Sequence, residues 1–224
     1  MAVVSWPSEL LRHLDAQYFP RFYNRSAGRA LNGREQIIGT GNAIWDVMLS
    51  IPRDFDSRRV KQFEAAVASM NGRANVTDFA ICSPDRFDHS VSPLQTPHSD
   101  GTWFEDGFGY AEDKGVHPVT FTADAPAGSN VLTQDLTDPV RPSLRVGDEF
   151  SHQKFLHRVT AHLSGGRIRI EPSLRVGIAA GEPVAVDPPV IRLRFASDDE
   201  GRRTREYLRY GAPVDLRFVE VFDR

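Results

Sequence analysis

The chain has one cysteine in 224 residues, so Cys82 has no internal disulfide partner, and no CxxC or Cys/His pattern offers the framework of a zinc site. It lacks any run of 18 apolar residues. Its first residues, Met1-Ala2-Val3-Val4-Ser5-Trp6-Pro7, have neither the basic start nor the long apolar core of a signal peptide. These gaps set the expectation of a chain made in a reducing cytoplasm, with no secretory signal and no membrane insertion. An excess of charge is missing too. Lys and Arg number 27 against 30 Asp and Glu, a net charge of -3, which excludes a generic basic surface for nucleic acid. Phosphate-binding loops of the form GxxxxGK[ST] or GxGxxG are absent, as is the Gly-x-Ser-x-Gly turn of a serine nucleophile.

What is present is the composition of an ordinary globular chain, 40% hydrophobic and 10% aromatic, long enough to bury a real core. One segment calls for a long helix. Between Ser57 and Asn71, Val60, Phe63, Val67 and Met70 fall on one helical face, with Asp56 or Ser57 to cap the start and Gly72 to end it. A weaker helical turn is expected around Ser8 to Leu14. Most other apolar residues recur at period two: Trp45, Val47, Leu49 and Ile51; Ile168 and Ile170; Ile191, Leu193 and Phe195; Val214, Leu216 and Phe218. Phe150 to Leu163 and Arg167 to Pro172 read as a hairpin around Ser164-Gly165-Gly166. The fold class expected is mainly β, an antiparallel sandwich or barrel with one flanking helix at about 57–71. Residues 84–118, rich in polar residues and glycine, read as a long surface loop.

Chemistry is sparse. His152, His157 and His162 are five apart and do not converge on either a strand or a helix. His98 and Asp100, with Glu105 and Asp106, form the better cation candidate, but a polar turn explains them more simply, and no metal or cofactor is expected. Cys82 follows Phe79-Ala80-Ile81 and reads as an inert thiol. Trp103, Phe104, Phe108 and Tyr110 crowd four aromatics into eight residues, a candidate interface loop rather than a sugar site. Arg167, Arg169, Arg192 and Arg194 share the outward parity of their strands, as a solvated face or one meeting acidic neighbours. The hexapeptide Pro-Ser-Leu-Arg-Val-Gly occurs at 142–147 and again at 172–177 without matching flanks, so it does not mark a repeat architecture. No catalytic signature emerges, and the chain is expected not to be an enzyme.

Several segments together resemble the distal tail proteins of long-tailed, siphovirus-like bacteriophages and gene transfer agents. They are Arg25-Ser26-Ala27-Gly28-Arg29-Ala30-Leu31-Asn32-Gly33-Arg34-Glu35-Gln36, the strand of Trp45 with its following helix, and His98-Ser99-Asp100-Gly101-Thr102. Val146-Gly147-Asp148-Glu149-Phe150, Leu156-His157-Arg158-Val159-Thr160, Glu171-Pro172-Ser173-Leu174-Arg175, Gly181-Glu182-Pro183-Val184 and Leu216-Arg217-Phe218-Val219-Glu220-Val221 extend the match along nearly the whole chain. The resemblance implies a structural virion protein. Its subunits would form a ring, commonly a homohexamer, joining the tail tube to the hub or baseplate at the tail tip. DNA would pass only transiently through the axial channel. It also implies a ring (belt) domain from residues 1–83 and 186–224, with a small β-barrel inserted at 84–185. Arg34, Glu35 and Trp45, in the hairpin before the helix, would then lie at a subunit contact. The alternatives are a carbohydrate-binding β-sandwich that uses Trp103 and Tyr110, and a tail-associated hydrolase that uses Glu105 and Asp106.

Overall fold

The structure, a computed structural model, describes residues 1–7, 10, 15–29, 31–33, 35–39, 43–81, 95–96, 102, 110–111, 119–136, 143–207 and 209–222. In chain order these residues form β1 (Asp15–Phe22), β2 (Arg25–Arg29), β3 (Glu35–Ile38), β4 (Ala43–Ile51), α1 (Ser57–Met70), β5 (Thr77–Ala80), β6 (Gln95–Thr96) and β7 (Tyr110–Ala111). They continue with β8 (Val131–Thr133), β9 (Glu149–His152), β10 (Phe155–His162), β11 (Arg167–Glu171), β12 (Val190–Phe195), β13 (Arg205–Glu206), β14 (Tyr210–Gly211) and β15 (Val214–Glu220). The fold is mainly β with one helix, and its sheets are antiparallel, as the period-two apolar pattern requires.

The first sheet runs β1-β4-β15-β12-β5. Its inner face carries Trp45, Val47, Leu49 and Ile51 from β4, Leu216 and Phe218 from β15, and Ile191, Leu193 and Phe195 from β12, all buried. Helix α1 covers that face with Phe63, Ala66 and Met70, and Trp6 meets Phe63, Phe195 and Phe218 edge-on at centroid distances of 6.1, 6.3 and 6.1 Å. The helix starts where Asp56 accepts a hydrogen bond from the Arg58 amide. Its end differs from the glycine stop expected. Asn71 is itself left-handed, at φ 49°, and Gly72 follows with φ 60°, so two residues share the turn.

The second sheet runs β8-β11-β10-β9 over a separate core that includes Phe121, Phe150, Val159, Ile168 and Ile170. Isolated bridges continue the pairing beyond its edges. Phe121 pairs with Gln134, Val119 with Val184, Ala125 with Ile178, and Ala185 with Ser151 of β9. Pairing therefore runs in a closed circuit from β8 through 119–125 and 178–185 back to β9, and leaves little open edge. Both copies of the Pro-Ser-Leu-Arg-Val-Gly hexapeptide use their leucine in the same way, since Leu144 and Leu174 are both buried in this core. Of the weak turn expected at 8–14, only Leu10 is described, and it is buried in the first core.

Candidate assembly surface

The two strands that flank the first hairpin outlast the sheet they belong to. β1 and β4 pair from Asp15↔Ser50 to Phe22↔Ala43, and beyond that point β2 and β3 continue as a two-stranded arm with Arg25↔Ile38 and Arg29↔Glu35 in register. Every described residue of the arm is exposed, including Leu31, Ile37 (62% accessible) and Ile38 (52%). At its base Phe19 and Phe22 are exposed as well. An isolated two-stranded ribbon is marginal in water, and apolar side chains on it gain nothing until another surface covers them. The arm therefore leaves Leu31, Ile37 and Ile38 uncovered.

Below the arm, the outer face of the first sheet holds a groove of about 420 Å³ across β1, β4 and β15. Register places Phe19, Asp46 and Val219 side by side in one row, and Gln17, Met48 and Arg217 in the next. Arg21 pairs with the Oδ2 of Asp46 at 3.2 Å, while Asp46 Oδ1 is shielded from solvent and has no hydrogen-bond donor among the described residues. The groove is thus an apolar floor around a half-satisfied carboxylate, with Arg21 and Arg217 among its lining residues.

The expected site residues fall in different places. Glu35 lies on the arm, where its Oε1 accepts a hydrogen bond from Ser26 Oγ at 2.6 Å. Arg34 lies outside the described residues. Trp45 corrects its own assignment: none of its side chain is exposed, its Nε1 donates to the Leu156 carbonyl at 2.8 Å, and Arg158 sits 4.9 Å over the ring. A side chain enclosed by its own chain has no surface left for a neighbouring subunit. Trp103, Phe104 and Phe108 lie outside the described residues, and Tyr110 begins β7, opposite Thr96. Cys82, His98, Asp100, Glu105 and Asp106 are outside them too. Among the described residues no cluster of His, Cys, Asp or Glu is arranged to hold a metal.

Two of the four outward arginines are not solvated as their parity suggested. Arg192 donates from Nε and Nη2 to the carboxylate of Asp78 at 2.7 and 3.0 Å, and Lys154 donates to the same carboxylate. Burial opposes the Asp78 charge, yet the hydrogen bonds from Arg192 and Lys154 outweigh it and hold the carboxyl below the usual aspartate range. The cluster joins β5 and β12 of the first sheet to the turn between β9 and β10 of the second. Arg194 is half-buried, and only Arg167 and Arg169 are exposed. Nearby, Arg175 donates to the Ala43 carbonyl and lies 4.6 Å over the Phe222 ring. These contacts bind the two cores through charge as well as through Trp45.

The sequence reading missed β1, Phe19 and the groove. Pro20 is the signal that was available, because proline inside an apolar stretch marks an edge strand. Compared with known families and with curated proteins, the sequence matches no family model and no curated protein.

Proposed function

We propose that this chain is the subunit of a ring at the distal end of a phage-type tail, where it joins the tail tube to the hub or baseplate proteins of the tip. The observation that carries the reading is the β2–β3 arm, an exposed, partly apolar ribbon that has no core of its own to cover. The resemblance along the chain gives the arm its context, because a closed ring is an economical way to bury such a ribbon on every subunit at once. The nested pair of cores supports it further. Residues on both sides of 119–186 complete one sheet, so the second core sits within the chain of the first. The work of such a protein is assembly rather than turnover. Its place would be the virion tail tip, after synthesis in the host cytoplasm, with DNA passing only through the axial channel.

Electron microscopy with rotational averaging on the concentrated protein, together with native mass spectrometry, tests the proposal. The expected result is a closed ring near sixfold symmetry, formed alone or on addition of the tail tube protein. A protein that stays monomeric in both conditions overturns it.

A further inference from the structure

We infer that the arm of one subunit docks in the outer groove of the next copy, with Ile38 on the floor made by Phe19, Met48 and Val219 and with Arg25 paired to Asp46. The inference rests on the ring reading for the identity of the partner, a second copy of this chain. The contact itself is argued from the two surfaces.

The arm does not cover its own groove. β2 and β3 form a two-stranded sheet separate from the one that carries the groove, and their described residues are exposed. Open edge pairing is also discouraged, because the β1 edge carries Pro20, which has no backbone N–H to donate. A face contact is what remains for this end of the sheet.

The chemistry of the two surfaces matches. Arg25 and Ile38 are directly opposed on the arm and share one face, an exposed cation beside an exposed apolar side chain. The groove offers the counterpart in the same arrangement, with Asp46 between Phe19 and Val219. Arg25 is exposed, and Asp46 Oδ1 has no donor among the described residues. A carboxylate oxygen left without a donor is costly in a shielded position, and a guanidinium supplies donors in pairs. The arm and the groove are different patches of one chain, so the contact is head-to-tail and propagates until the rotation closes.

The test uses the full chain with Cys82→Ser and the pair Ile38→Cys with Met48→Cys, under mild oxidation, followed by denaturing electrophoresis. A disulfide closed within one chain leaves it at the size of a monomer on a denaturing gel, so only bonds between chains build covalent multimers. The expected result is a ladder of covalent multimers from the double variant and only monomer from each single one. Native mass spectrometry on the same samples separates the two failures. Rings without the ladder overturn the groove contact and leave the ring standing, whereas monomers without the ladder overturn both. A charge exchange checks the pair directly. Arg25→Asp and Asp46→Arg should each weaken assembly tenfold or more, and the double exchange should restore most of it. Single variants that assemble like the parent, or a double exchange that recovers nothing while its thermal melt stays cooperative, would overturn the Arg25–Asp46 pairing.

Discussion

Trp45 donates its indole hydrogen to the carbonyl of Leu156 at 2.8 Å, so β4 of the first sheet is tied to β10 of the second. Leu156 packs in the core of the first sheet although it belongs to β10, and Arg158, two residues on, lies over the indole at 4.9 Å. Trp45 therefore keys the two cores together beside the Asp78 cluster and Arg175. Replacing Trp45 with Ala should cost ~3–5 kcal/mol, the range for a fully buried large aromatic, and Trp45→Phe should lose the hydrogen bond and part of the volume for ~1–2 kcal/mol. Urea unfolding followed by circular dichroism measures both. A cost under about 1 kcal/mol for the alanine variant would show that the junction contributes little.

Asp78 should make the same junction acid-sensitive. Its pKa is held below the ordinary value by Arg192 and Lys154 in spite of burial, so the folded state prefers the carboxylate more than the unfolded chain does. The stability this contributes is complete above the unfolded aspartate pKa, near 3.9, and disappears as pH falls through the lower folded value. Asp78→Asn should lower stability by ~1–2 kcal/mol at pH 7, discounted for partial exposure, and should flatten the decline below about pH 4. Denaturant midpoints at pH 7, 4 and 3 for parent and variant decide it. Parallel curves would remove Asp78 from the acid response.

The strands that bury one face were legible because alternation survives burial on one side: Trp45, Val47, Leu49 and Ile51 can be read at sight, and so can the face of α1. β1 was not legible, since an edge strand exposed on most positions carries no apolar period, and Pro20 interrupts what there is. Trp45 shows a different limit. Parity says that its side is covered, but not whether the cover is a neighbouring subunit or Leu156, more than a hundred residues away in the same chain. The same holds for Arg192, whose outward parity was read correctly while its partner Asp78 was not. The groove draws on residues near 19, 46 and 219, which only the sheet order brings together.

His157 provides a second pH response in a different range. Its Nδ1 donates to the Pro172 carbonyl at 2.9 Å, its ring stacks near Phe150, and burial pushes its pKa down to about 4. The unfolded chain therefore binds a proton that the folded one refuses between about pH 6.5 and 4, and stability falls as pH falls across that window. The slope for one such group is ~1.4 kcal/mol per pH unit, so moving from pH 6.5 to 5 should remove about 2 kcal/mol. His157→Gln, which keeps a donor for Pro172 without titrating, should be less stable at pH 7 yet lose much less over the same interval. An equal loss in parent and variant would assign the slope to another group.

Gly72 closes the helix under two constraints at once. Its φ of 60° suits glycine, and a Cβ there would sit 2.6 Å from Asp198 Oδ1 and 3.3 Å from the Asp198 Cα. That Oδ1 already accepts the Arg73 amide at 2.9 Å, so it is not free to swing away. Gly72→Ala should cost ~1–3 kcal/mol. In an Asp198→Ala background the 2.6 Å clash with the carboxylate is relieved, while the backbone strain and the 3.3 Å contacts with the Cα and Cβ of residue 198 remain, so the same substitution should cost less, ~1 kcal/mol. Equal costs in the two backgrounds, measured by urea unfolding, would mean that Asp198 is not the obstacle.

The arm offers the cleanest separation of folding from assembly. The described residues of 25–38 contribute nothing to either core, and the last sheet pair before them, Phe22↔Ala43, is already in register for a tight turn. Replacing the segment between Phe22 and Ala43 with Asn-Gly should therefore leave the first sheet intact, because a two-residue turn of this type matches the twist of the strands it joins. The thermal midpoint should shift by no more than a few degrees, the equivalent of ~1 kcal/mol. Assembly should disappear, since the apolar ribbon is gone while every residue of the groove remains. Analytical ultracentrifugation across a concentration series, with the melt as the folding control, reads both quantities. A well-folded armless protein that still closes into rings would place the subunit contact elsewhere on the sheet and leave the exposed Ile37 and Ile38 without a partner to explain them.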